Sequence, residues 1–379
     1  MTIRQLNTEA CKACEELTPE GLRDQVNSYL PSFGAIGIPE RVPGGYLNFV
    51  FRVHGERQSA IAKCAPPHVA AMPEVALDPQ RIVIEGRSLA AFMPGGELAE
   101  CATADVRPPH LLHFEEEQCL LIEEDVGDVP HLGVWLTQKR PGRGGAWRVG
   151  ELLGAFVGRL HLLSHRQPHL ANHFDNAAIQ RTRLEVQYRN TADLLARGGV
   201  SDVRALGQRA VDQGELLQEP GQCVIHGDLW PPSILMAESG IRLIDWELAH
   251  FGRPSQDVGH LASHLWMWAH QASTATVANR NRDALQAFLD AYRTTLGRSF
   301  GELFGAQGAV ESAIHFGCEI LVRTVGAFQE GYLYEGLAQD DPVIGEAVDV
   351  AARHIREPEV ADTFASLRSQ RNSSTTPSQ

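Results

Sequence analysis

The chain lacks any long apolar run, and none approaches the roughly 20 residues needed to span a bilayer. Its opening, Met1 to Ala10, has no apolar signal core. Both absences point to a cytoplasmic protein with no membrane partner. A basic excess is missing too. Lys and Arg number 33 against 47 Asp and Glu, a net charge of −14. No phosphate-reading stripe is available, which argues against nucleic acid as a partner. Lysine is scarce, with three in 379 residues. The seven cysteines are odd in number and scattered (11, 14, 64, 101, 119, 223, 318), which suits reduced thiols better than a disulfide framework. Cys11 and Cys14 form a lone C-x-x-C, without a second pair or a following βαβ pattern, and read as ordinary thiols. The sixteen histidines show no H-E-x-x-H or comparable spacing, so no transition metal is expected. No internal repeat is visible.

With 43% apolar and 21% charged residues, the chain has the material for a folded core. Thr18-Pro19-Glu20 predicts a capped helix running to about Leu30, where Pro31 stops it. From Ile36 to Lys63 the pattern is β-like, with a turn at Gly44-Gly45. The best strands are Asn48–Val53 and Ser59–Lys63. A helix over about 79–92 precedes two strands near 111–114 and 119–123. After Asp125 helical periodicity takes over. Leu152, Leu153, Phe156, Val157 and Leu160 stripe a helix over 149–163. Further helices are expected at 174–197, 201–217, 256–270, 282–296, 308–330 and 343–356, interrupted by two strands within 223–244. The expectation is an α+β fold with a β-rich lobe (1–124), a mainly helical lobe (125–370) and a disordered tail (371–379). A cleft between such lobes is a natural ligand site.

The chemistry concentrates in His226-Gly227-Asp228-Leu229-Trp230 with Ser233, followed by Leu243-Ile244-Asp245-Trp246-Glu247. Protein kinases use H-R-D-L-x-x-x-N and then D-F-G. The first Asp orients or deprotonates the acceptor hydroxyl, while the Asn and second Asp hold Mg2+. Each Asp here adjoins a short apolar run that would fix it at a strand end. Such an arrangement suits a transfer that depends on positioning and charge neutralisation.

With Gly252-Arg253-Pro254 and Asp257 added, these motifs resemble the aminoglycoside phosphotransferase and choline kinase superfamily, whose fold is bilobal and protein-kinase-like. Within it the chain looks most similar to 5-methylthioribose kinases and related small-molecule kinases, such as the 4-hydroxytryptamine kinase of the psilocybin pathway. The likeness runs from Gly44 to about Gly326. It implies an ATP- and Mg2+-dependent phosphotransferase acting on a hydroxyl of a small molecule: an amino alcohol, hydroxylated amine, sugar or phenol. Asp228 would be catalytic. Gly44, Gly45 and Asn48 would approach the triphosphate, although a plain hairpin turn reads equally there. Lys63 would bind phosphate and pair with Glu85, with a solvated edge lysine as the bland alternative. Backbone at Glu124 and Val126 would meet adenine.

Ser233, Asp245 and Glu247 would hold Mg2+, with Ser233 standing where protein kinases have Asn and Glu247 where they have Gly. His226 and Asp257 would support the catalytic loop, although Asp257 also reads as a helix N-cap. Trp230, Trp246, Trp266 and Trp268 could form an aromatic wall for the acceptor, or simply pack. Methylthioribose kinases carry paired arginines ahead of a C-terminal Gly. Here Val322 precedes Arg323, so Arg323 is either a substrate ligand or an ion-pair partner of Glu319. A methylthioribose-type kinase is one alternative. A nucleotide-binding regulator without catalysis is another, disfavoured by the presence of Lys63, Asp228 and Asp245.

Overall fold

The structure is a computed structural model that describes residues 18–43, 47–138 and 143–368. Gly44, Gly45, the Cys11/Cys14 pair and the tail from 371 lie outside the described residues. The fold is α+β, in two compact units. One comprises residues up to 135 together with 163–183 and 217–253; the other comprises 136–162, 184–216 and 254 onward.

The first unit opens with helix α1 (Pro19–Tyr29), where Thr18 Oγ1 accepts the Gly21 N–H at 3.1 Å and Pro19 sits in the first turn. Capping of this kind satisfies a backbone donor that the helix itself cannot. Strands β1 (Ala35–Arg41), β2 (Phe49–Gly55), β3 (Ser59–Cys64), β7 (Leu111–Glu115) and β8 (Leu120–Glu124) make an antiparallel sheet in the order β1-β2-β3-β8-β7. Leu22 and Val26, one turn apart on α1, pack with Val53, Ala60, Ala62, Leu120 and Ile122 to form the core on one face of that sheet. Between β3 and β7 lie a small hairpin, β4 (His68–Val69) and β5 (Met72–Ala76), then helix α2 (Arg81–Phe92) and the short strand β6 (Val106–Arg107).

The segment 217–253 folds with this β unit. Strands β9 (Cys223–Ile225), β10 (Ile234–Ala237), β11 (Gly240–Leu243) and β12 (His250–Gly252) form two small sheets, β10-β11-β6 and β12-β9. Three strands stand within 223–244, where the sequence pattern predicts two, and β12 follows them; β9 and β12 are too short to carry a period-2 signature. Cys101, Cys119, Cys223 and Cys318 are free and buried. Cys64 is disulfide-bonded, contrary to the expectation of reduced thiols.

The second unit is helical. It contains α4 (Arg143–Ser164, to Leu162), α7 (Thr191–Arg197), α8 (Val203–Leu216), α9 (Pro254–His270), α10 (Ala275–Leu296), α12 (Gly305–Thr324) and α13 (Pro342–Arg356), with α9 packed on α10 and α12, and α12 on α13. Short helices α11 (Phe300–Leu303) and α14 (Ala365–Arg368) complete it, whereas α5 (Pro168–His173), α6 (Ala177–Arg183) and most of α3 (Leu132–Thr137) belong to the first unit. The helix expected over 174–197 is broken instead into α6, a π-helical turn at Leu184–Tyr188, and α7. Asn176, just before α6, is buried, and its amide donates to the carbonyls of Glu247 and Ala249 at 2.9 and 3.1 Å. That tertiary bonding overrides local helix propensity. The helix expected over 308–330 ends at Thr324.

Glycines set the closeness of α4 and α10. A Cβ on Gly154 would lie 2.2 Å from the Phe288 carbonyl oxygen. Helical Gly345 on α13 has nothing within 4 Å of such a Cβ. Gly154→Ala should therefore destabilise the protein by about 1–3 kcal/mol. Gly345→Ala should stabilise it by up to about 1 kcal/mol. Chemical denaturation of both variants checks the opposite signs.

Candidate active site

Lys63 is the one lysine among the described residues, and almost no solvent reaches it. Register places it on β3 opposite Leu121. Its side chain shares a face with Glu123, the diagonal neighbour on β8. The ammonium lies 2.6 Å from Glu85 Oε1, 3.1 Å from Glu123 Oε1 and 3.0 Å from Asp245 Oδ1. Burial alone would lower the Lys63 pKa, but Glu123, Glu85 and Asp245 together hold it well above the ordinary lysine range. The carboxylates bear the opposite strain. Burial raises Glu85 against the pull of Lys63, and it pushes Glu123 up to about 7.

A second cluster joins the first through α2. Arg81, one turn before Glu85, is fully buried. Its Nε donates to Asn48 Oδ1 at 3.1 Å and lies 3.3 Å from Glu247 Oε2, while its other nitrogens donate to the carbonyls of Asp78, Leu47 and His68. Asn48 Nδ2 donates to the same Glu247 oxygen at 2.8 Å. Burial, reinforced by Glu85 and Asp245, pushes Glu247 up to about 8 despite its pairing with Arg81. Around these residues stand four carboxylates (Glu85, Glu123, Asp245 and Glu247) and two cations (Lys63 and Arg81). With all four ionised the surplus is two negative charges, the charge of one divalent cation; in the ligand-free protein, protons kept by Glu123 and Glu247 offset it. Asp245 is the most accessible of the four carboxylates, with its side chain 45% exposed.

Backbone geometry aims these groups. Asp245 adopts φ 62°, ψ 56°, the left-handed region that Asp tolerates better than most residues. Gly227 has φ 83°, and a Cβ there would lie 2.1 Å from the Leu248 carbonyl oxygen, so only glycine fits between His226 and Asp228. His226 Nδ1 accepts the Asp228 N–H at 3.3 Å. The opposite nitrogen, Nε2, then carries the proton and donates to the Ile244 carbonyl at 3.0 Å. This imidazole ties the Asp228 loop to the residue preceding Asp245. Its ring packs on Trp246, which is fully buried against Phe92 and is a core residue.

Arg183, unremarked in the sequence, grips the loop from α6. One guanidinium nitrogen donates to the Gly227 carbonyl at 2.7 Å and to Asp228 Oδ1 at 2.9 Å. Ser233 is buried within the loop, where its hydroxyl donates to the carbonyls of Trp230 and Asp228 and accepts the Trp230 N–H. Its role here is to hold the loop's shape. Trp230 is half-buried.

On β8 the Glu124 carboxylate is held below its ordinary pKa. Burial opposes this, but a forked pairing with Arg107 at 2.6 and 2.9 Å and the His110 N–H outweigh it. Its own N–H donates to the His110 carbonyl. The Glu124 N–H is thus engaged within the unit, and Val126 lies half-buried just beyond the strand. Two further expected residues belong to the helical unit. Asp257 pairs there with His161 at 3.3 Å. Arg323 pairs with Glu319 at 2.8 Å and lies over the Phe328 and Tyr332 rings.

Sequence reasoning missed Glu123, Arg81, Arg183 and Asn176. Glu123 did leave a signal, a charged residue ending an apolar strand on the side-chain parity of Lys63. Nothing in local pattern marks Arg183.

A strand lysine paired to a helix glutamate, and a loop aspartate followed across a hairpin by a second, is the arrangement of the kinase-like phosphotransferases. Residues 39–297 match the phosphotransferase enzyme family, and the chain belongs to it. It is 28% identical over 274 residues to the 4-hydroxytryptamine kinase of Psilocybe cyanescens, covering 66% of this chain and 74% of that one. It is 24% identical over 333 residues to the methylthioribose kinase of Exiguobacterium sibiricum, covering 76% of this chain and 79% of that one. A solved glucosamine kinase, in complex with glucosamine, ADP and inorganic phosphate, shares the fold with a TM-score of 0.52 at 17% identity, over 90% of this chain and 86% of that one. The protein is a small-molecule kinase. Among the described residues no helix is long and apolar enough to cross a membrane.

The raised carboxylates give a pH prediction. Folded Glu123 and Glu247 keep protons that the unfolded chain releases near the ordinary carboxylate value, so their contribution to stability is lost as pH rises through about 7 and then about 8. The melting temperature of the ligand-free protein should fall over that range. Glu247→Gln should flatten the upper part of the fall, and an unaltered profile would count against the burial argument.

Proposed function

We propose that the protein transfers the γ-phosphoryl group of Mg-ATP to a hydroxyl group of a small molecule. The observation that carries this reading is the buried Lys63 ammonium held jointly by Glu85, Glu123 and Asp245. That cluster presents one fixed cation to phosphate oxygens and an accessible carboxylate to a divalent metal. When bound, Mg2+ would neutralise charge on the phosphates, with Asp245 and Glu247 as its holders. The surplus negative charge and the partly exposed Asp245 support this assignment.

Asp228 accepts or orients the proton of the acceptor hydroxyl. Arg183 holds that carboxylate in one rotamer, and His226 fixes the loop's distance from Asp245, so that reorganisation during transfer is small. Lys63, kept charged at any physiological pH, orients the phosphates. Asn48 and Arg81 keep Glu247 in place. A non-catalytic binder has no need for an Asp228 gripped from two sides.

The acceptor class follows from the relatives, whose names specify a hydroxylated indole amine and a thiosugar. A thiosugar is the less favoured of the two. Val322 is buried, and Arg323 is engaged with Glu319, so the paired guanidinium forks associated with methylthioribose kinases are not both present.

Release of ADP from Mg-ATP, measured across a panel of hydroxylated amines, sugars and phenols, identifies the acceptor. With that acceptor, Asp228→Asn should abolish turnover while nucleotide still binds, and Asp245→Asn should lose Mg2+-dependent nucleotide affinity. Undiminished turnover in either variant overturns the assignment. Arg183→Gln should lower kcat by about 10- to 100-fold with nucleotide affinity unchanged, the loss expected when a catalytic group is no longer held in position. A change confined to nucleotide affinity would place Arg183 in binding instead.

A further inference from the structure

A second cluster of metal-binding side chains lies deep in the helical unit, composed entirely of residues from that unit. His260 projects from α9, and His315 and Glu319 project from the same face of α12, one turn apart. All three are buried, and one ligand atom from each falls within 4.8 Å of the others. His260 Nδ1 lies 3.1 Å from His315 Nε2 and 3.7 Å from Glu319 Oε2. An ion bound tetrahedrally at about 2.0–2.1 Å from its ligands separates them by about 3.4 Å. The two measured separations bracket that value. No spacing motif marks the site, because His260 and His315 come from different helices and only His315-x-x-x-Glu319 shares a turn.

We infer that His260 Nδ1, His315 Nε2 and Glu319 Oε2 form a binding site for a divalent transition-metal ion, Zn2+ by preference. Two imidazoles and one carboxylate make a nitrogen-rich donor set that suits Zn2+ and is poorly matched to Mg2+ or Ca2+, which favour oxygen. The groups behind the ligands support it. Metal-bound imidazoles typically have their second nitrogen held by a hydrogen bond, and here His315 Nδ1 is held by the Tyr188 hydroxyl. Glu319 Oε1 accepts from His264 Nε2 at 3.2 Å and from Arg323 Nε at 2.8 Å. Gln187 Nε2 donates to Oε2 at 2.9 Å, which leaves that oxygen a second lone pair for the ion. The carboxylate is thus aimed by three donors on three elements. Both ligand-bearing helices are packed against each other, so the ligands sit on rigid supports.

The charge balance sets the character of the site. Arg323 already offsets Glu319, so a bound dication needs an anion in its fourth position, and hydroxide or an exogenous ligand supplies it. The ion is therefore removable by chelator and is not required for folding. The site does not depend on the phosphoryl-transfer reading, and metal uptake is measured without any substrate.

The test is metal uptake by the full chain after chelator treatment and desalting. Elemental analysis should find one equivalent of Zn2+ retained, and Co2+ should give the intense visible ligand-field bands of tetrahedral coordination. His260→Gln and His315→Gln should each abolish the bands. Asp245→Asn, in the other unit, should leave them unchanged. If the histidine variants do not fold, titrating the native protein with Co2+ still decides the matter, since absence of tetrahedral bands overturns the site. Bands that persist in folded His260→Gln and His315→Gln proteins also overturn it.

Discussion

One buried ammonium organises the first unit. Lys63 sits among three carboxylates from a strand, a helix and a turn, and no single ion pair would justify its removal from water. Desolvating an amine is unfavourable by several kcal/mol unless the surroundings return it. The surroundings do so here by overcompensating, leaving Glu85 and Glu123 with raised pKa values. The site is therefore electrostatically complete only with added positive charge.

The catalytic loop shows a different economy of means. His226, Arg183 and Ser233 act on the loop itself. They engage the loop backbone at the Asp228 N–H, at the Gly227 carbonyl, and at the Trp230 N–H and carbonyl. Each removes a degree of freedom near Asp228. Preorganisation of this kind is the main resource of an enzyme whose chemistry needs little covalent participation from the protein.

How much of this was legible in the sequence depended on whether neighbours in space were also neighbours in pattern. Lys63 and Glu85 were readable because strand and helix each repeat a recognisable motif, and the Thr18 cap was readable because it acts within three residues. Arg183 was not, since its contact with Asp228 bridges 45 positions and the helix it ends has no signature. Of the two readings open for Trp246, wall or packing, the structure shows packing: the indole is fully buried. The backbone bonds of the Ser233 hydroxyl were not legible either, because only the folded chain brings that loop backbone within reach. Spacing within one segment cannot show that His260 and His315 lie together, because they come from separate helices.

Helix α2 carries one more consequence. Arg81 and Glu85 stand one turn apart on it and hold different members of the 245–247 turn, Arg81 reaching Glu247 and Glu85 sharing Lys63 with Asp245. A helical turn rises about 5.4 Å, a length set by backbone hydrogen bonding and insensitive to side-chain chemistry. The helix thus works as a ruler laid against the 245–247 turn. It makes the spacing of the two acids a property of backbone geometry, and any rotation of α2 disturbs the Lys63 ion pairs and the hold on Glu247 together.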